Sequence, residues 1–163
     1  MGAATIDSAG MEAVLGHRFA NPKLLETAVT HASLFEGRDV EASDYERLEF
    51  LGDRVLGLAV AEMLYLTFPE EQEGALARRH TALVRQETLA RLAVNLGMDA
   101  WMILSPSEEE GGGRESPAIL SDVCEAVLGA LYLDGGMEPA RAFVVKHWAP
   151  LMSEDLTPPK AMG

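Results

Sequence analysis

A chain of 163 residues, 48% of them hydrophobic, has room for one compact domain that can bury its own core. Its 13 Lys+Arg against 26 Asp+Glu give a net charge of −13, which argues against a simple nucleic-acid binder. Its single cysteine, Cys124, excludes an intrachain disulfide framework and a cysteine-based zinc site and points to a reducing, cytoplasmic setting; no apolar run approaches the ~20 residues of a membrane span, and the start lacks a signal-peptide layout.

The hydrophobic pattern is helical nearly throughout, with no alternation of period two and no repeat at fixed spacing, which predicts an all-α fold. Residues 1–10 are small and weakly patterned and read as a loose N-terminal segment. Asn21-Pro22 opens a helix, with Asn as cap and Pro in the first turn, and Leu24, Leu25, Ala28 and Val29 form its apolar face. Residues 35–43 are polar and acidic and read as a loop. A long helix is expected from about residue 44 to 68, stopped by Pro69, and a second from about 73 to 96, closed by Gly97. Residues 105–116 read as a mobile surface loop, since Gly111-Gly112-Gly113 lacks the lysine pattern of a phosphate-binding loop. Ser116-Pro117 starts a further helix that ends at Gly135-Gly136, and a last one runs from about 138 to 152. Residues 156–163 carry Pro158-Pro159 and read as a linker.

Two of these helices hold acids where burial is expected. At about 100° per residue, Glu46, Glu49 and Asp53 share one narrow stripe of a helix otherwise apolar on nearly every side. Asp122 and Glu125 stand three apart, hence on one face, among Ile119, Leu120, Val123, Val127, Leu128 and Leu131. From residue 117 to 137 there is no Lys, Arg or His. Several carboxylates in low dielectric must protonate, find cations or bind a metal. Spacing alone leaves these outcomes open, along with a plain solvated face or pairing with Arg47 or Arg54. Oxygen-only ligands, if they hold a metal, favour hard ions such as Mg²⁺ or Mn²⁺.

The local sequence is more specific. Asp44-Tyr45-Glu46-Arg47-Leu48-Glu49-Phe50-Leu51-Gly52-Asp53 closely resembles the signature of the ribonuclease III family. Ile119-Leu120-Ser121-Asp122-Val123-Cys124-Glu125-Ala126-Val127 resembles that family's second acidic motif, continued by Gly129-Ala130-Leu131-Tyr132-Leu133-Asp134-Gly135-Gly136. His31-Ala32-Ser33 and Glu73-Gly74-Ala75-Leu76 match further elements. The resemblance covers roughly residues 10–155 and implies the all-α endonuclease-domain fold of that family over 11–155. It makes Glu49, Asp53, Asp122 and Glu125 the catalytic carboxylates and ligands of divalent metal, Mg²⁺ with Mn²⁺ as substitute, with Asp53 and Glu125 foremost in the chemistry. Glu46 and Glu73 match supporting acids, and Phe50 matches an aromatic knob of a homodimer contact.

The implied activity is cleavage of double-stranded RNA, one strand at each of two sites in a dimer, leaving 5′-phosphates and short 3′ overhangs in RNA processing, including ribosomal RNA precursors. The implied C-terminal double-stranded-RNA-binding domain is absent from this chain, and truncation is the favoured expectation. Departures are small: Asp44, Ala77 and His80 stand where other residues are usual, and only an RNA contact near His80 is put in doubt.

Arg78, Arg79, Arg85 and Arg91 form a basic stretch that reads equally as a solvated face or as an RNA contact. Trp101 and Trp148 read as core or edge-packing aromatics, His17 and His147 as surface, His31 as a capping or packing residue, and Cys124 as inert and buried. Two rival readings remain at this point. One is a non-catalytic all-α dimerisation module, against which the intact set of four acids speaks. The other is a Mg²⁺-dependent nucleotide hydrolase, weakened by the missing phosphate loop.

Overall fold

The computed structural model describes residues 7–35 and 39–154, so the expected linker at 156–163 and most of the expected loose start lie outside the described residues. The described chain is all-α: α1 (Ser8–Leu15), α2 (Pro22–Val29), a 3-10 turn (Ala32–Phe35), α3 (Asp39–Thr67), α4 (Glu73–Val84), α5 (Gln86–Leu96), α6 (Met98–Trp101), α7 (Pro106–Glu110), a second 3-10 turn (Gly113–Glu115), α8 (Pro117–Gly135) and α9 (Met137–Met152). An isolated bridge between Thr30 and Ile103 is the extent of β pairing among the described residues.

The caps form where the sequence offers them. Asn21 accepts from the Lys23 amide, and Ser116 accepts from the Ile119 amide, each with proline in the first turn. Gly97 closes α5 in the left-handed conformation, φ 85°.

Helix α8 is apolar nearly all round and forms the axis of the molecule. Leu120, Val123, Cys124, Val127, Leu128 and Leu131 are buried, and α2, α3, α5 and α9 pack around it. Each fully buried Leu contributes about 1.5–3 kcal/mol relative to exposure. Trp148 is fully buried on α9 and donates its indole N–H to the Leu83 carbonyl at 2.9 Å, tying α9 to α4. At the far end of α8, Asp134 accepts from the Ala20 and Asn21 amides, both at 2.8 Å, and from His17 at 2.7 Å. That junction fixes the link between α1 and α2 against the core helix.

Several expectations need correction. Helix α3 begins at Asp39, so part of the expected 35–43 loop is helical. The helix expected over 73–96 is two helices, because Arg85 is extended (ψ 161°) and α5 turns back against α8. Thr88 donates its hydroxyl to the Ala82 carbonyl, which the break frees. Residues 105–116 are not a loose loop: they form α7 and a 3-10 turn, held by Arg114, which donates to Glu109 and to the carbonyls of Asp99 and Met102. His17 and His147 are both partly buried rather than surface residues.

Candidate functional site

Helices α3 and α8 cross with almost no space between their backbones. A Cβ at Gly52 would collide with the Glu125 carbonyl, and one at Gly129 with the Leu48 carbonyl. Glycine at both positions lets the two acid-bearing faces meet, so Glu49 from α3 comes beside Asp122 and Glu125 from α8. One oxygen from each of these three carboxylates lies within 4.8 Å of the others. All three residues are half-buried.

The electrostatics follow from that crowding. Burial, then the charge of Asp122 and a hydrogen bond with it, push Glu49 up to about 7. Burial likewise raises Asp122, although its bond with Glu49 and the nearby His31 pull the other way. Burial, then a hydrogen bond with Asp53 and the surrounding acids, push Glu125 up to about 9. Burial and mutual repulsion thus favour the protonated forms of Glu49, Asp122 and Glu125 unless a cation balances their charge. No Lys or Arg among the described residues bonds Glu49, Asp122 or Glu125. An all-carboxylate donor set with this spacing suits a hard divalent cation.

The other predicted acids are placed differently. Asp53 stands at the exposed margin, bonded to Glu125 and accepting from Arg54 at 3.0 Å. Glu46 is exposed and lines the same hollow as Glu49, Asp53 and Glu125. Glu73 is exposed in the first turn of α4 and lines no part of that hollow. Phe50 is 62% exposed, with the Arg54 guanidinium 4.1 Å from its ring centroid. It borders a second hollow of about 740 Å³, lined also by Leu24, Leu48, Leu51 and Leu133.

Comparison with known proteins gives this arrangement its context. Residues 21–151 match the family described as Ribonuclease-III-like. The chain belongs to that family. Ribonuclease 3 of Azorhizobium caulinodans is 49% identical over 144 residues, 88% of this chain and 61% of that protein. Ribonuclease 3 of Methylocella silvestris is 45% identical over 156 residues, 96% and 65% of the two chains. The chain thus spans about three fifths of the length of these curated relatives. The nuclease domain of ribonuclease III from Campylobacter jejuni is similar at a TM-score of 0.80 and 36% identity, covering 91% of this chain and 97% of that one. A second structure of that domain, described for structural flexibility in a region involved in dimer formation, matches at a TM-score of 0.76 and 38% identity, with coverage of 86% and 97%.

Two features of this ribonuclease-III-like chain were not foreseen from its sequence. The first is Tyr45, 2% exposed, whose ring lies edge-on to His31 with centroids 5.5 Å apart. No composition or spacing signal sets it apart from the core. His31 accepts from the Ser33 amide through Nδ1, a local cap, and burial holds its imidazole below the ordinary value against the pull of Glu108, Asp122 and Glu46. The second is that half of the basic stretch is already engaged within the fold. Arg79 makes a two-pronged bond to Glu71 and stacks on Phe68, and Arg91 makes one to Glu154. His80 donates through Nε2 to the Gly57 carbonyl at 2.8 Å. Of the four arginines, Arg78 and Arg85 have no ion pair among the described residues: Arg78 is partly buried with its Nε unpartnered, and Arg85 is exposed.

Proposed function

We propose that this chain is the nuclease domain of a divalent-metal-dependent endoribonuclease that cuts double-stranded RNA in RNA processing, ribosomal precursors included. The observation that carries this reading is the meeting of Glu49, Asp122 and Glu125 across the α3–α8 crossing, with no Lys or Arg among the described residues bonded to them. Such a cluster is unfavourable as a structural device and suited to a cation. Mg²⁺, with Mn²⁺ as substitute, is the ion proposed, held by Glu49, Asp53, Asp122 and Glu125. When bound, it supplies Lewis-acid activation of water and of the scissile phosphodiester.

The chain's own residues do the rest. Glu49 and Asp122 present oxygens from two helices whose separation is fixed by Gly52 and Gly129. Asp53 at the open margin and the half-buried Glu125 beside it orient the nucleophile and exchange its proton. Glu46 lends negative charge from the rim, and Glu73 is a more distant support. Phe50 beside the 740 Å³ hollow forms a knob and a hole on one face, the arrangement a two-fold homodimer needs. Two such sites, one per subunit, would cut the two strands and leave 5′-phosphates with short 3′ overhangs. A cytoplasmic setting accords with a buried, inert Cys124, whose thiol burial pushes up to about 12.

The test is a cleavage time course on a generic RNA duplex and on a single strand of the same composition. Cleavage of the duplex is expected with Mg²⁺ or Mn²⁺ and is lost in chelator. Glu125→Gln, which keeps the volume and removes the charge, should abolish cutting while leaving the protein folded. Duplex cleavage that continues undiminished in chelator would falsify the proposal.

A further inference from the structure

Among the described residues the Tyr45 hydroxyl is buried and has no hydrogen-bond partner. Leaving a buried donor unsatisfied is costly, so such a hydroxyl calls for an acceptor. Tyr45 lies one helical turn before Glu49 on α3, and i and i+4 residues are neighbours on a helix face. After burial, the groups that act on its phenol are Asp122, Glu49 and Glu125, in that order, which are the same three that gather their oxygens within 4.8 Å. Together they keep the phenol protonated, so it serves as a neutral O–H donor. Asp122, whose charge acts on the phenol most after burial, is itself engaged with Glu49.

We infer that Tyr45 is a positioning residue for the metal site, its hydroxyl donating to the Asp122 carboxylate once a divalent cation has displaced the Glu49–Asp122 hydrogen bond. The donor left over in the ion-free cluster is thereby satisfied in the loaded one, and Asp122 is held in the orientation that ligates. His31, packed edge-on against the ring, holds the phenol in place. This rests on the metal reading above and assigns a further residue to it.

Tyr45→Phe keeps the ring and its packing and removes only the hydroxyl. Two quantities are measured on the full chain with and without the substitution: Mn²⁺ affinity by calorimetry, and the thermal midpoint with and without Mn²⁺. Without Mn²⁺ the midpoint of Tyr45→Phe should equal or exceed that of the unmodified chain, because an orphaned donor has gone. With Mn²⁺ the affinity should fall about tenfold, the scale of losing an outer-shell partner, and the Mn²⁺-induced rise in midpoint should shrink. A hydroxyl of purely structural value would shift the midpoint equally in both conditions and leave the affinity unchanged, and that result overturns the inference. If the unmodified chain itself binds no Mn²⁺, the metal reading falls and this inference with it, a failure visible before the variant is made.

Discussion

Glu125 and Glu49 hold protons at a pH where a solvated glutamate holds none. Their values of about 9 and about 7 lie above the ordinary 4.5, so the folded chain binds protons that the unfolded chain has already released. The contribution of these groups to stability is therefore complete below pH 4.5 and is lost as pH rises through 7 and on to 9. Asp134 works in the opposite sense: burial raises it, but His17 and the two backbone amides outweigh burial and hold it below its ordinary value. Its contribution is present above the unfolded value and disappears in acid. The ion-free chain should thus be most stable in mildly acidic solution and weaken towards pH 9. Glu125→Gln removes the larger alkaline loss, so its denaturant midpoint should match the unmodified chain near pH 5 and exceed it near pH 9. Two parallel stability–pH curves would show that Glu125 is not the strained group.

At the scale of elements, the decisive contact is the α3–α8 crossing. The atoms a Cβ would strike at Gly52 are backbone atoms of Glu125 and Gly129, which cannot rotate away. Gly52→Ala must push the helices apart, a cost at or above the ~3 kcal/mol upper end of ordinary overpacking. Gly57, on the same helix, is the control. A Cβ there would meet only the His80 ring, at 3.9 Å, so Gly57→Ala should stabilise by about 0.5–1 kcal/mol through helix propensity. Urea midpoints of the two variants test the contrast, and a similar effect at both positions would contradict the account.

The sequence made some elements readable and hid others, for identifiable reasons. The starts of α2 and α8 and the end of α5 were readable because Asn21-Pro22, Ser116-Pro117 and Gly97 act locally. The break at Arg85 was not, because no Gly or Pro marks it and tertiary packing on α8 makes the turn. The order of residues 105–116 was hidden too, since it depends on Arg114 reaching the carbonyls of Asp99 and Met102. The same division runs through the site. Glu46, Glu49, Asp53, Asp122 and Glu125 stand out because carboxylates on apolar helices are anomalous, and the family resemblance singles out four of them. Tyr45 does not, because a tyrosine among apolar residues looks like core until its unpaired hydroxyl is seen.

On the scale of the whole molecule, the charge of −13 and the apolar face around Phe50 bear on the same question of assembly. Negative charge disfavours non-specific association, so any self-association needs a specific apolar contact to overcome it. Phe50 projects beside a hollow whose walls include Leu24, Leu51 and Leu133, lined also by Lys23 and Arg47 and by Asp44 and Glu46, two charges of each sign. In an isologous pair each Phe50 enters the other subunit's hollow, and both contacts are lost by a single substitution. Because Phe50 is exposed and outside the core, Phe50→Asp should leave helicity unchanged by circular dichroism. It places a charge in each apolar hollow and adds two like charges across the interface. Sedimentation should then show the unmodified chain as a dimer at micromolar concentration and Phe50→Asp as a monomer. Since Phe50 is one residue from Glu49 and stacks with Arg54, which bonds Asp53, the monomer should also cut duplex RNA at least tenfold more slowly. An unmodified chain that sediments as a monomer would remove the dimer from the proposal and leave the acid cluster standing by itself.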